Sequence, residues 1–487
     1  MKRLKLTNLG DDARIALENF GDFAAGFVNP NIRLGVTGLS RSGKTVFITA
    51  LIHNMLHQGR LPQFSAQAEG RIARAYLQPQ PDDTIPRFAY EDHIERLVDK
   101  MEWPRSTSRI SQFRLTIEYE SANFLSRAVG GGRLNIDIVD YPGEWLLDLP
   151  LLAKDYQTWS KEALELARLP NRTASAKKWL AMNDTINPLQ AADEKQAQDM
   201  AAVFTDYLNA CRLDENALSL LPPGRFLMPG DLAGSPAVTF APMAIPEGPA
   251  PHDTLWHLME RRYEAYKQQV IKPFFRDHFA RLDRQIVLID ALQALNAGPA
   301  AVRDLEDAIS EILNCFQPGK ASWLSSIVSR RIDRIIFAAT KADHLHHTEH
   351  DKLELLLREI VKNAVERATF KGASIDVVAL SSVRATKEAV FKHDGVPLNC
   401  IVGTPIKGET IDGVAFDGQT EKAIFPGSLD IDLKTMLTMD DPTKGPDLQF
   451  VRFRPPHPQQ TAEGLTLSLP HIRLDRVMDF LIGDKLS

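Results

Sequence analysis

The run Gly38-Leu39-Ser40-Arg41-Ser42-Gly43-Lys44-Thr45 is a complete G-x-x-x-x-G-K-[ST], and it constrains the fold more than any other stretch of the chain. The motif works only as a loop that joins a β-strand to the start of a helix. Its flanks meet that condition. Arg33–Thr37 reads as a short strand and Thr45–Gln58 as a helix, with Phe47, Ile48, Leu51, Ile52, Met55 and Leu56 at helical spacing and Gly59 just past the end. The glycines let the backbone fold round phosphate with its N–H groups inward, and the helix dipole adds positive potential there. Ser40, Arg41, Ser42 and Gly43 form the cradle, Lys44 reaches the β- and γ-phosphates, and the Thr45 hydroxyl holds Mg²⁺.

A chain of 487 residues predicts two or three domains. Its net charge of −6 argues against a dedicated nucleic-acid binder. Cys211, Cys315 and Cys400 are far apart, so neither a disulfide framework nor a CxxC metal pair can be drawn, as in a reducing compartment. The first twenty residues turn acidic and polar before any apolar stretch, unlike a secretory signal, and the apolar runs are strand-sized. The expectation is a cytoplasmic protein, with peripheral attachment to the inner membrane through a partner left open.

The phosphate loop alone does not separate ATP from GTP; four later segments bear on the base. Leu134–Val139 alternates like a strand, and Asp140-Tyr141-Pro142-Gly143 is a D-x-x-G at its carboxyl end. Asp140 there can hold Mg²⁺, and Gly143 can donate an N–H to the γ-phosphate. Ile335–Ala339 is an apolar strand ending on Thr340-Lys341-Ala342-Asp343, similar to the N-K-x-D base reader with Thr for Asn. A carboxylate at Asp343 accepts from both donors on guanine's edge, a pair adenine lacks, while Lys341 lays its stem along the base. The strand from Ile375 ends on Ser381-Ser382-Val383, where a backbone N–H of Ser382 or Val383 can meet the guanine oxygen. Thr107, ahead of a strand at Gln112–Tyr119, is the candidate switch threonine for the Mg²⁺ shell. A further strand at Gln285–Asp290 and a helix near Val302–Phe316 complete an alternating order. The predicted fold is α/β, a P-loop G domain with a mostly parallel, doubly wound sheet and its ligand at the strands' carboxyl ends.

Between the D-x-x-G strand and the next strand, residues 146–282 read as a helical insertion. Stripes run through Leu152–Leu166, Met200–Cys211 and Leu255–Val270, with Pro273 expected to kink or end the last. Leu221–Pro251 reads as loop. The remaining boundaries are an N-terminal helical segment at 1–30, G-domain parts at 31–145 and 283–390, and a small β-rich extension at 391–487 closed by an amphipathic helix at Leu474–Ile482. His344, His346, His347 and His350 read as a solvated loop near the base rather than a metal site. The insertion follows Gly143 directly, which suits it to pass nucleotide state to a protein effector.

Glu144 follows D-x-x-G, where a residue that orients the attacking water is expected. Its charge would repel the γ-phosphate unless screened, which predicts slow turnover. Arg41 or Arg105 could supply compensating charge. The run GVTGLSRSGKTVFITALIHNML, with LNIDIVDYPGEWLLDLPLL and IIFAATKADHL, resembles the YcjX-like family of bacterial P-loop GTPases across essentially the whole chain. The resemblance implies a guanine-nucleotide-binding protein associated with stress response, with a membrane protein as neighbour. It carries nucleotide binding onto Lys44, Thr45, Asp140, Lys341 and Asp343. Two other readings stand beside the GTPase switch: a GDP-bound scaffold with negligible turnover, and an ATP-dependent ATPase or kinase.

Overall fold

The computed structural model describes residues 30–39, 41–121, 132–213, 216–279, 281–314, 332–370, 372–393, 395–432, 448–456, 459–460 and 467–486. The N-terminal segment, Ser40 and Cys315 lie outside them.

Seven strands form the central sheet: β1 (Asn31–Gly38), β2 (Ile72–Gln78), β3 (Ser111–Tyr119), β4 (Gly132–Asp140), β5 (Arg284–Ile289), β6 (Arg334–Ala339) and β7 (Ser374–Ala379), in the order β2-β3-β4-β1-β5-β6-β7. From β4 to β7 every pairing is parallel, and β2 and β3 add antiparallel strands at one edge. The order reverses at β1, so the loop after it opens at the sheet's switch point.

The parallel strands are apolar on both faces because helices cover both. On one side Val36, Leu288, Ile336 and Val378 pack with Phe47, Leu51 and Ile52 of α1 (Lys44–Leu56). On the other, Val287, Ile289, Phe337 and Val377 pack with Leu292 and Leu295 of α7 (Ala291–Ala297), Val302 and Leu305 of α8 (Pro299–Asn314), and Leu353 and Leu357 of α9 (His350–Ile360). Helix α9 breaks at Val361, and the chain resumes as α10 (Lys362–Phe370). The amphipathic helix α11 (Leu474–Ile482) does not close the β-rich segment. Its Leu474, Val477, Met478, Leu481 and Ile482 join α1 on the sheet face, and Arg284 donates to the Leu481 carbonyl from β5.

Between β4 and β5 lies a helical region with its own aromatic core. It begins as a 3₁₀ run from Gly143 to Ala153 and continues through α3 (Tyr156–Ala167), α4 (Pro170–Thr185), α5 (Glu194–Cys211) and α6 (Leu255–Tyr266). Trp159 stacks on Tyr263 at 4.9 Å, and Trp179 on Tyr207 at 5.1 Å. Pro273 does not end the last helix. The path continues to Phe279 through π-helical turns on either side, whose wider winding accommodates a residue with no N–H. After β7, β8 (Lys387–His393), β9 (Val396–Gly403) and β10 (Lys422–Ile424) form a small antiparallel sheet. Among the described residues, no helix is long and apolar enough to cross a membrane.

Candidate nucleotide-binding site

A cavity of about 660 Å³ opens at the carboxyl ends of β1, β5, β6 and β7. Its wall brings together Arg41, Ser42, Gly43, Lys44, Thr45, Arg105, Thr107, Gly143, Glu144, Thr340, Lys341, Asp343, Ser382 and Val383.

The loop after β1 turns through Arg41 and Gly43, both in the left-handed region at φ 64° and 79°. Gly43 then starts α1, with Phe47 N–H donating to its carbonyl at 2.8 Å. Ser42 is buried against the cavity, and its Oγ finds no hydrogen-bond partner among the described residues. A buried hydroxyl without a partner is costly, and an anion in the loop would accept from it. Gly143 lies so close to this loop that a Cβ there would fall 1.8 Å from the Gly38 carbonyl oxygen. The two segments that would bracket a terminal phosphate are therefore in backbone contact.

Lys44 Nζ donates to Asp140 Oδ1 at 2.6 Å and to the Tyr141 carbonyl. Asp140 does not face the cavity directly. It lies buried beneath it, its Oδ2 accepting from Thr107 Oγ1 at 2.6 Å, while Thr107 Oγ1 is 2.9 Å from Thr45 Oγ1. Thr45, Thr107 and Asp140 thus present only oxygen donors within one hydrogen-bonded chain. That is the donor chemistry Mg²⁺ requires, so the residues fit the ion.

At the other end, Lys341 is left-handed at φ 60°, and its Nζ pairs with Asp290 Oδ2 at the end of β5. Asp343 Oδ2 accepts the Ala385 N–H at 2.9 Å, and its carbonyl accepts from Thr386 Oγ1. Thr340, in the asparagine position, turns its Oγ1 to the Ile289 carbonyl at 3.3 Å. Ser381 Oγ donates to the Val383 carbonyl at 3.0 Å, which fixes the turn carrying Ser382.

The histidines do not form a solvated loop. His346 and His350 are buried, His350 bonding the Ala342 carbonyl at 2.9 Å, and only His347 is exposed. His344 lines the cavity with its ring edge-on to Phe453 at 5.5 Å. Phe450, Val451, Arg452 and Phe453 form part of the wall, and Trp103 Nε1 donates to the Phe453 carbonyl at 2.6 Å beside Thr107. Sequence reasoning placed residues 450–453 in the small β-rich extension and not in the site. It also missed Asp290, whose only signal was an acidic residue closing an apolar strand. Burial, then the guanidinium groups of Arg212 and Arg452, lower the pKa of Arg41.

The 3₁₀ run after Gly143 is buried from Gly143 to Leu151. Trp145 Nε1 donates to the Met228 carbonyl at 2.8 Å, and the Arg225 guanidinium lies 3.2 Å from its ring centre. Asp148 accepts from Gly224 N–H and Tyr266 O–H, each at 2.7 Å. Burial pushes its carboxyl up to about 7, against the pull of Tyr266, Arg225 and the Gly224 N–H. The folded protein therefore holds this proton more tightly than the unfolded chain, whose carboxyl keeps the ordinary value of 3.8. The stability tied to that proton is complete below the unfolded value and is lost as pH rises through the folded one. Asp148→Asn, neutral throughout, is expected to flatten the decline in denaturation midpoint between about pH 4 and pH 7. An unchanged decline would show that Asp148 is not its source.

Two relatives align along nearly the whole chain. One, "Ras-like GTPase YcjX" of Escherichia coli (strain K12), is 38% identical over 471 residues, covering 94% of this chain and 97% of its own. The other, of the same name from Shewanella oneidensis, is 31% identical over 478 residues, covering 94% and 95%. The model of the YcjX-like family, DUF463, matches residues 32–486. With a family match from the first strand to the last helix and two relatives each aligned over 94% of it, the chain belongs to the YcjX-like family.

Proposed function

We propose that this chain is a Mg²⁺-dependent GTPase that acts as a regulatory switch. One observation carries the reading: residues 41–45 of the phosphate loop, Thr107, Gly143-Glu144, Thr340, Lys341, Asp343 and Ser382-Val383 all line a single cavity. The name shared by the two relatives supports it.

In this scheme Ser42 and Lys44 hold the β- and γ-phosphates, Arg41 adds charge, and the Gly143 N–H donates to the γ-phosphate. Lys44 exchanges Asp140 for phosphate, and Thr45, Thr107 and Asp140 are the residues that would hold Mg²⁺. Mg²⁺ supplies charge neutralisation at the phosphate oxygens. Glu144 orients the attacking water. Asp343 reads the guanine edge, held in place by the Ala385 N–H; Lys341 covers the base plane with its stem; and Thr340 and the backbone of Ser382 and Val383 close the base pocket. The chain divides at 31–145 and 283–390 into the G domain, with residues 146–282 as the output device and a protein effector reading its helices. The stress association and the membrane-protein neighbour rest on the family resemblance, and the cytoplasmic or membrane-peripheral setting on the dispersed cysteines and an N-terminal sequence unlike a secretory signal.

Fluorescent GDP and ADP titrated into the protein with Mg²⁺ test the base. Asp343→Asn is expected to weaken GDP by about tenfold to a hundredfold and to gain xanthine diphosphate. Equal GDP and ADP binding would favour the ATPase reading instead.

A further inference from the structure

We propose that Arg212 is a positioning residue for GTP hydrolysis. It neutralises and aims the Glu144 carboxylate, so that the helical region completes the catalytic site from within the same chain. The inference rests on the GTPase reading above and adds to it the residue that makes a glutamate workable beside a triphosphate.

Glu144 stands next to Gly143 in the cavity wall, with its side chain 9% exposed. A buried carboxylate so near a γ-phosphate faces strong repulsion, because little water screens it. Arg212 answers that charge. It caps the carboxyl end of α5, and its Nη1 donates to Glu144 Oε1 at 3.0 Å. Arg212 and Glu144 also line a small cavity of about 50 Å³ shared with Arg41 and Asp290, which places the pair directly behind the phosphate loop.

The main chain is held as firmly as the side chain. A Cβ at Gly224 would lie 1.7 Å from the Glu144 carbonyl oxygen, so the loop after α5 presses on this residue's backbone. Asp148, four residues on, binds the Gly224 N–H. One helical region thus fixes Glu144 from both sides. With Oε1 engaged by Arg212, Oε2 is the oxygen that accepts from water. The water oxygen bonds to the γ-phosphorus as the bond from that phosphorus to the β,γ-bridging oxygen breaks. The electron pair leaves on GDP, and the water proton passes through Glu144 to the released phosphate.

The test is steady-state GTP hydrolysis and GDP affinity for the full chain and for Arg212→Ala, Glu144→Gln and the double variant. Arg212→Ala is expected to lower kcat about tenfold to a hundredfold while GDP affinity stays within about twofold. Added to Glu144→Gln, where no charge needs neutralising, the same change is expected to cost no more than about threefold. An Arg212→Ala kcat within about twofold of wild type would overturn the proposal, as would an equal loss in both backgrounds, which marks a purely structural contact. Wild-type protein that binds GDP yet releases no phosphate from GTP would instead remove the GTPase reading beneath it.

Discussion

Lys44→Ala is expected to lower kcat/KM for GTP by about a hundredfold to a thousandfold, the effect of removing one preorganised charge from phosphoryl transfer. The side chain is 7% exposed and already fully engaged, with Asp140 Oδ1 at 2.6 Å and the Tyr141 carbonyl as acceptors. Its ammonium is also 5.5 Å from the Tyr141 ring centre. The stem is therefore fixed before phosphate enters, and only the ammonium need change partner. Arginine is not expected to substitute, because its planar fork does not reproduce a compact point charge in a tight loop. Phosphate release under saturating and limiting GTP measures the effect. A loss smaller than about tenfold would place Lys44 away from the reacting phosphates.

Asp304→Ala is the change expected to unfold the protein most readily, at a cost of about 3–5 kcal/mol. Arg172 of α4 is completely buried, and its Nη2 donates to Asp304 Oδ1 on α8 and to the Leu220 carbonyl at 2.9 Å. The other carboxylate oxygen accepts the Leu220 N–H at 2.8 Å and the Ser219 N–H at 2.5 Å. Alanine would leave a buried guanidinium without its anion and two backbone donors without an acceptor. Replacing both members by apolar residues of similar size, Arg172→Met with Asp304→Leu, is expected to recover most of the loss. Urea denaturation of wild type and the two variants distinguishes these outcomes. A single-variant loss below about 1 kcal/mol would make the pair no stronger than one on the surface.

The parallel strands were readable because burial on both faces writes them as continuous apolar runs ending on a polar residue, as at Ile335–Ala339 before Thr340. The edge strand Ile72–Gln78 was not. Its residues are half-buried or exposed, no apolar face marks it, and its pairing with β3 shifts register between Ile72 and Arg74. At the cavity, every motif residue came from short local patterns, whereas the residues missed are those whose partners are distant in sequence. Arg212 meets Glu144 across 68 positions, and Trp103 meets Phe453 across 350. The need for a cation beside Glu144 was legible from its charge. Which of the 57 lysines and arginines supplies it was not, because that depends on where α5 ends in space.

The seating of α11 on the sheet has a consequence for biosynthesis. Strand β1 leaves the ribosome well before α11, the helix that covers β6 beside α1 and the last α-helix made among the described elements. At ordinary elongation rates the two are separated by tens of seconds. From the emergence of β6 until α11 follows, the part of the sheet face that α1 does not cover is left bare, which favours capture by chaperones. A message broken before Leu474 would yield a chain that has every nucleotide-binding motif and lacks the helix that covers the sheet beneath them.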